Sequence, residues 1–251
     1  MIFLVAKNET KKEKQTANNE NFCVFDDITR EKMQQIVNIG TITTNGKYYI
    51  HCMSIIGQIE GHYILPKEVK STKYEQIIPA LITIEQSKHI KGLLVVLNTV
   101  GGDIEAGLAI SELIRGLSKP TVSIVLGGGH SIGVPLAVSS KYSFIVPSAT
   151  MTIHPVRTSG TILGVPQAFT HFKRVQDRIV KFVVENSKIT EDKFLKFMMK
   201  TDELATDVGS VLDGTVAVKS GLIDNIGDIS MAIDKLYKMI EQEEKKKKKT
   251  K

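Results

Sequence analysis

The sequence predicts an α/β fold with a mostly parallel sheet. An uninterrupted apolar run, typical of a strand buried on both faces, occurs at 92–97, and a β-rich run occurs at 121–126. Each run leads through a Gly-rich turn into a segment with helical spacing or small helix-compatible residues. This alternating order favours parallel pairing with right-handed crossovers. At 251 residues the chain is long enough to bury a sizeable core in one large domain.

The other elements follow from spacing and turn residues. Asn45-Gly46 separates two strand-like segments, which predicts a β-hairpin. Further strands are predicted at 54–57, 62–65, 142–146 and 150–153. Helices are predicted within 77–84, 106–117, 167–186, 190–199, 217–221 and 229–240. The helix at 167–186 carries a long apolar stripe, which indicates either core packing or an oligomer interface.

The two ends of the chain differ from its centre in composition. Residues 1–37 are predicted to form an N-terminal arm that is partly disordered, because 7–20 is polar and lacks periodicity. A single domain is expected over 38–240, followed by a lysine-rich disordered tail at 241–251. The six lysines at 245–249 and 251 account for the whole formal charge of +6. The domain itself is therefore near neutral, and no nucleic-acid partner is expected.

Composition also indicates in which cellular compartment the chain is expected and whether it is expected to need a cofactor. No run of about 18 apolar residues is present, so no membrane span is predicted. Cys23 and Cys52 show neither a disulfide pattern nor a metal-binding spacing, which favours the reducing cytoplasm. The histidines lack ligand partners at regular spacing, so no metal site is expected. No cofactor is predicted for the domain.

A Gly-rich turn with a serine follows the strand at 121–126. In Gly127–Gly133, Ser131 lies where a strand meets a short helix. Such a turn exposes the hydroxyl and points the first helical amides at the group it attacks. His154 follows the last predicted strand of this region. Because parallel strands end at one edge of a sheet, Gly101, Ser131 and His154 are predicted to lie together.

These residue types suit amide hydrolysis. Ser131 is expected to attack the carbonyl carbon, with His154 as the base that later protonates the leaving amine. The amide of Ile132 and an amide of Gly101 or Gly102 are expected to hold the oxyanion. Glycine suits the second position because a side chain there would block the substrate. The alternative is that Ser131 belongs to an ordinary Gly-rich turn without chemistry.

Four segments occur in the order found in the ClpP family of serine peptidases, which the chain resembles over about 54–228. The segments are Leu97–Gly107, Gly129–Gly133, Met151–Pro155 and Ala217–Asp224. The resemblance implies a crotonase-like β-α superhelix. It also implies homo-oligomeric rings of seven subunits, which occur either as a single ring or as a double ring. It implies that peptides or unfolded proteins are cut inside a closed chamber. It also implies that the helix at 167–186 is a protruding handle that joins two rings.

The chain departs from the family pattern in three places. The usual Ser-Pro-Gly-Gly turn reads Thr-Val-Gly-Gly at Thr99–Gly102. The residue before the nucleophile is His130 instead of a small one, and we interpret it as a packing or supporting residue. The N-terminal segment does not resemble the axial loops that ClpP uses with its unfoldase. The resemblance therefore gives no support for an AAA+ partner.

The acid of the triad is the least determined residue of the site. Counting back from the Gly221–Asp224 segment, the family's aspartate falls on Gly209 if no gap is allowed. Asp207 lies two residues away and is the predicted acid, with Asp202 and Asp213 as competitors. If no acid reaches the histidine, the dyad is expected to react slowly, because nothing fixes the imidazole tautomer.

Three classes of function fit these observations. The leading hypothesis is a self-compartmentalised serine endopeptidase with a Ser-His-Asp triad. The second is an acyl-CoA hydratase or isomerase of the crotonase type, against which the Ser131–His154 pair argues. The third is a ring-forming adaptor with a degenerate triad, which the uncertain acid keeps open.

Overall fold

The computed structural model describes residues 40–157, 164–201 and 208–249, which form nine strands and seven helices. The strands are β1 (Thr41–Asn45), β2 (Tyr49–Glu60), β3 (Ser71–Lys73), β4 (Gly92–Gly102), β5 (Thr121–Gly129), β6 (Tyr142–Ile145), β7 (Thr150–Ile153), β8 (Ser210–Asp213) and β9 (Asn225–Ile226). The helices are α1 (Tyr74–Gln86), α2 (Ile104–Gly116), α3 (Gly133–Val138), α4 (Val165–Glu185), α5 (Glu191–Met198), α6 (Gly214–Lys219) and α7 (Ile229–Lys249).

The main path of the sheet places β1, β2, β4, β5, β6 and β9 side by side in that order. All pairs on this path are parallel except the β1–β2 hairpin. The predicted α/β fold with a mostly parallel sheet is therefore confirmed. β7 branches from β5 through one parallel bridge, Gly128 with Thr150, and pairs antiparallel with β8. This branch carries the residue after β7, His154, to the end of β5.

The central strand β4 is buried on both faces, as its uninterrupted apolar run predicts. Leu94 of β4 packs in a cluster with Leu236 and Ile240 of α7. Its neighbour Val95 points to the opposite face and belongs to the larger cluster, which includes Ile110 of α2. Side chains of successive residues alternate across a strand, so a run apolar at every position fills both layers.

Two strands extend through segments that the sequence predicts as turns. β4 continues to Gly102 and β5 to Gly129. Polar side chains support this extension: Asn98 Oδ1 accepts a hydrogen bond from the Gly128 amide at 2.9 Å. Thr99 Oγ1 donates to the carbonyl of Gly57 at 2.6 Å. These bonds bring the ends of β2, β4 and β5 together at the edge where the site is predicted.

Two predicted segments differ from the structure. The strand predicted at 62–65 does not form, and its apolar side chains Tyr63 and Ile64 are 85% and 87% exposed. The prediction was wrong because the segment finds no neighbouring strand to pair with. The tail predicted to be disordered at 241–251 is helical as far as Lys249, at the end of α7. The predicted arm at 1–37 lies outside the described residues.

The apolar stripe of α4 divides into two parts. Val175, Phe182 and Val183 are buried in the domain. Nearer the N-terminus of the helix, Val165 and Phe169 are 72% and 70% exposed. Core packing thus explains only the C-terminal part of the stripe. Within the described ranges, no helix has the length and apolar character needed to cross a membrane.

Candidate active site

Ser131 lies in a strained turn between β5 and α3. Its φ is +57°, the only positive φ of a non-glycine residue in the described ranges. Such a backbone costs about 1–3 kcal/mol and persists only where its surroundings hold it. The Ser131 amide donates to the carbonyl of Thr152 at 2.8 Å, and the Gly133 amide donates to the carbonyl of His130 at 2.8 Å. The geometry matches a turn that exposes a nucleophilic hydroxyl.

Gly101 allows the end of β4 to approach this turn closely. Its φ is +91°, which side chains rarely adopt. A methyl group built on Gly101 would lie 2.6 Å from Cβ of Ser131 and 3.2 Å from its Oγ. The absence of a side chain at Gly101 is therefore a steric requirement of the Ser131 turn.

One cavity of about 160 Å³ contains most of the predicted site. Ser131, Ile132, His154 and Gly102 all line it. Its apolar walls include Ile104, Val134, Ile153, Ile179, Phe194 and Met198. The structure thus brings the predicted nucleophile, base and two oxyanion residues around a single, largely apolar space.

The tautomer of His154 follows from its own neighbour. His154 Nδ1 lies 2.7 Å from the carbonyl oxygen of Pro155. Because a carbonyl can only accept, Nδ1 carries a proton, and in the neutral ring the lone pair then lies on Nε2. A general base needs this tautomer, with Nε2 available to the hydroxyl. Sequence reasoning missed this contact, since a main-chain carbonyl gives no residue-type signal.

The two glycines of β4 differ in what their amides do. The Gly101 amide donates to Thr99 Oγ1 at 3.0 Å. The Asp103 amide donates to the carbonyl of Ile59 in β2 at 3.0 Å. Since neighbouring amides on a strand point in opposite directions, the Gly102 amide points away from β2. The geometry therefore favours Gly102 over Gly101 as a donor to an oxyanion.

The amide of Ile132 is the second candidate donor. It follows Ser131 directly, and Ile132 itself is 1% exposed. In the part of the chain that the structure describes, this amide donates to no backbone carbonyl. Ile132 also fills the space beside Gly107 of α2, where a methyl group would lie 3.1 Å from its Cγ2. Packing against α2 therefore fixes the residue that carries this amide.

The candidate acids occupy different places. Asp202 and Asp207 lie outside the described residues. Asp213 caps α6, its Oδ1 accepting from the Val216 amide at 2.8 Å. In the β7–β8 ladder it stands opposite Thr150, at the far end of β7 from His154. The structure therefore does not bring Asp213 to His154.

Gly209, at which a count without gaps places the family's aspartate, lies directly against His154. A Cβ built on Gly209 would lie 2.9 Å from Cβ of His154. The φ of Gly209 is +141°, a conformation that disfavours any side chain. The backbone of a glycine thus fills the place from which an acid at this position would reach the histidine.

His130 does not line the cavity, within the described residues. Its ring folds back over Gly128, where a Cβ would lie 2.6 Å from His130 Cδ2. Its Nδ1 lies 2.9 Å from Thr152 Oγ1. Burial lowers the pKa of His130, which favours the neutral form of the imidazole. No group of three or more potential metal ligands occurs among the described residues.

Known proteins resemble the chain over most of its length. The Clp protease family model matches residues 46–230. The Translocation-enhancing protein TepA of Halalkalibacterium halodurans is 52% identical over 216 residues, covering 85% of this chain and 83% of that protein. The ATP-dependent Clp protease proteolytic subunit 2 of Treponema denticola is 26% identical over 167 residues, covering 65% and 80%. The ATP-dependent Clp protease proteolytic subunit of Leuconostoc citreum is 27% identical over 127 residues, covering 50% of this chain and 62% of that protein.

Proposed function

The chain belongs to the Clp protease family, and from that premise we propose that it is a serine endopeptidase with Ser131 as its nucleophile. The observation that carries the proposal is the strained Ser131 turn in the same cavity as His154. A strained serine at a strand-to-helix turn is typical of activated nucleophiles. An ordinary Gly-rich turn has no need of a serine at a positive φ.

The geometry supports the following sequence of steps. Ser131 Oγ attacks the carbonyl carbon of the scissile peptide bond while His154 Nε2 takes its proton. The amides of Gly102 and Ile132 hold the oxyanion that forms. His154 then gives the proton to the leaving amine, and water hydrolyses the resulting acyl-enzyme with His154 again as base.

The cavity supports a preference for apolar side chains next to the scissile bond. Ile153, Phe194 and Met198 form part of its wall, and each is at most 2% exposed. A polar side chain placed there would lose its hydrogen bonds to water without replacement. We expect peptides and unfolded proteins with an apolar residue before the cut to be the preferred substrates.

Digestion of a largely unfolded protein tests the proposal. Purified full-length chain is expected to cut β-casein after apolar residues, and the Ser131→Ala variant to leave it intact, as read by mass spectrometry. Casein that stays intact with the wild-type chain would contradict the proposal. Turnover of an acyl-CoA thioester that survives Ser131→Ala would instead favour a crotonase-type enzyme.

We propose Asp207 as the acid of the triad. The Pro155 carbonyl already selects the required tautomer of His154, so the acid's remaining task is to stabilise the imidazolium. Loss of most activity in Asp207→Asn, with Asp202→Asn active, would support this assignment. Equal activity in both variants would remove Asp207 from the mechanism.

We further propose that the chain forms rings, which the N-terminal part of α4 helps to join. Phe169 and Val165 expose apolar surface that burial in a partner would stabilise. Phe169→Asp is therefore expected to lower the mass measured by light scattering, whereas Thr170→Asp on the same exposed turn is expected to change it less. An unchanged mass for Phe169→Asp would remove this end of α4 from the interface.

A ring-forming adaptor is the second candidate function. The glycine at position 209, against His154, is the observation that favours it, because a count without gaps places the family's acid at this position. The name of the Translocation-enhancing relative supports a role in protein translocation for either candidate. A folded, oligomeric chain whose serine never reacts would favour the adaptor.

A further inference from the structure

We propose that His130 and Thr152 form a clamp that holds the Ser131 turn against the strand carrying His154. His130 is then a positioning residue, acting through Thr152. The inference rests on the proposed function, since it assigns how the nucleophile and base are kept in register. A side chain as small as that of alanine at position 130 could not make this contact.

Thr152 is the centre of the clamp because two consecutive residues of the turn, His130 and Ser131, bind to different groups of it. Its hydroxyl lies 2.9 Å from Nδ1 of His130. Its carbonyl accepts the amide hydrogen of Ser131 at 2.8 Å. The side chain before the nucleophile and the main chain of the nucleophile are thus fixed to one residue of β7.

β7 needs such contacts because little else joins it to β5. The only β-bridge between these strands in the described ranges is Gly128 with Thr150. Thr152 lies beyond this bridge, and His154 follows it by two residues. Only Ile153 separates Thr152 from His154, so a shift of the main chain at Thr152 also moves His154. A displacement of about 1 Å between reacting groups can cost about 10²-fold in rate.

The turn leaves room for the imidazole ring of His130. The His130 amide donates to the carbonyl of Thr99 at 3.1 Å, which fixes its backbone to β4. Gly128 leaves the space over which the ring lies. Since the ring bonds to Thr152 and lies off the cavity wall, it supports the nucleophile without touching substrate.

The test replaces Thr152 with valine, which removes the hydroxyl group and keeps nearly the same side-chain shape. Thr152→Val is expected to slow fluorophosphonate labelling of Ser131 by about 10-fold or more, at a melting temperature close to wild type. Thr152→Ser restores the hydroxyl and is expected to label within about 3-fold of wild type. Thr150→Val makes the same change on the same strand outside the clamp and is expected to label at the wild-type rate.

A double-mutant cycle tests whether His130 and Thr152 affect the labelling rate through the same hydrogen bond. Thr152→Val is expected to add little to the slowing caused by His130→Ala, because either change breaks the same bond. Fully additive effects, or labelling of Thr152→Val at the wild-type rate, would overturn the clamp alone. A wild-type chain that is not labelled would overturn the proposed function and the clamp with it.

Discussion

Replacing His154 with alanine is expected to slow the reaction of Ser131 with a fluorophosphonate by up to about 10⁴-fold. The hydroxyl has a high pKa, and without a base to take its proton it is a weak nucleophile. His154 lines the same cavity and holds its Nδ1 proton on the Pro155 carbonyl, which leaves Nε2 as the base. The labelling rate, followed by intact-protein mass spectrometry, measures the effect.

The matched control is His89→Ala. His89 is exposed on the loop after α1, and only its main-chain amide makes a hydrogen bond to Ser87 among the described contacts. This variant is expected to label at the wild-type rate. Retained labelling in His154→Ala would remove His154 from the mechanism.

Replacing Gly101 with alanine is expected to damage both stability and reactivity. The new methyl would lie 2.6 Å from Cβ of Ser131, at a φ of +91° that alanine disfavours. Strain of this kind costs about 1–3 kcal/mol in the free energy of unfolding. Displacement of the serine by about 1 Å is expected to slow labelling by about 10²-fold. Urea unfolding and the labelling rate measure the two effects.

Gly116→Ala provides the control for this substitution. Gly116 is the last residue of α2, and a methyl built there would meet nothing within 4 Å. Alanine favours the helix over glycine by up to about 1 kcal/mol, so this variant is expected to be as stable as wild type or more so. If Gly101→Ala behaves like Gly116→Ala, the close approach of β4 is not required.

The architecture was predictable because a strand that is buried on both faces is apolar at every position, and this pattern can be recognised in the sequence. The run at 92–97 is apolar at every position, which few structures other than a central parallel strand explain. Strand ends were less predictable. β4 continues to Gly102 because Asn98 and Thr99 make side-chain hydrogen bonds to neighbouring strands, which depend on the tertiary structure.

The site was predictable to the extent that side chains carry its chemistry. Ser131 and His154 were found from turn type and strand order, and the structure places both in one cavity. The Pro155 carbonyl was missed because it is a main-chain group. Thr152 was missed because a threonine in a strand is ordinary, and only its contact with His130 gives it a role.

The acid shows where counting along the sequence reaches its limit. Counting residues back from Gly221 placed the family's aspartate at Gly209, but it did not predict how a glycine at that position would affect the site. The structure places its backbone against His154, so a carboxylate at this position would need a different local fold. Gly209→Asp would therefore introduce strain at a φ of +141°, and the substitution is a poor way to build a triad.

The most direct measurement is fluorophosphonate labelling of the purified wild-type chain, read by peptide mass spectrometry beside Ser131→Ala. A chain that uses Ser131 as an activated nucleophile is expected to carry the label on the peptide containing Ser131, and the variant to carry none. An unlabelled wild-type chain, shown to be folded and oligomeric, would contradict the peptidase account. The ring-forming adaptor would then be the better description.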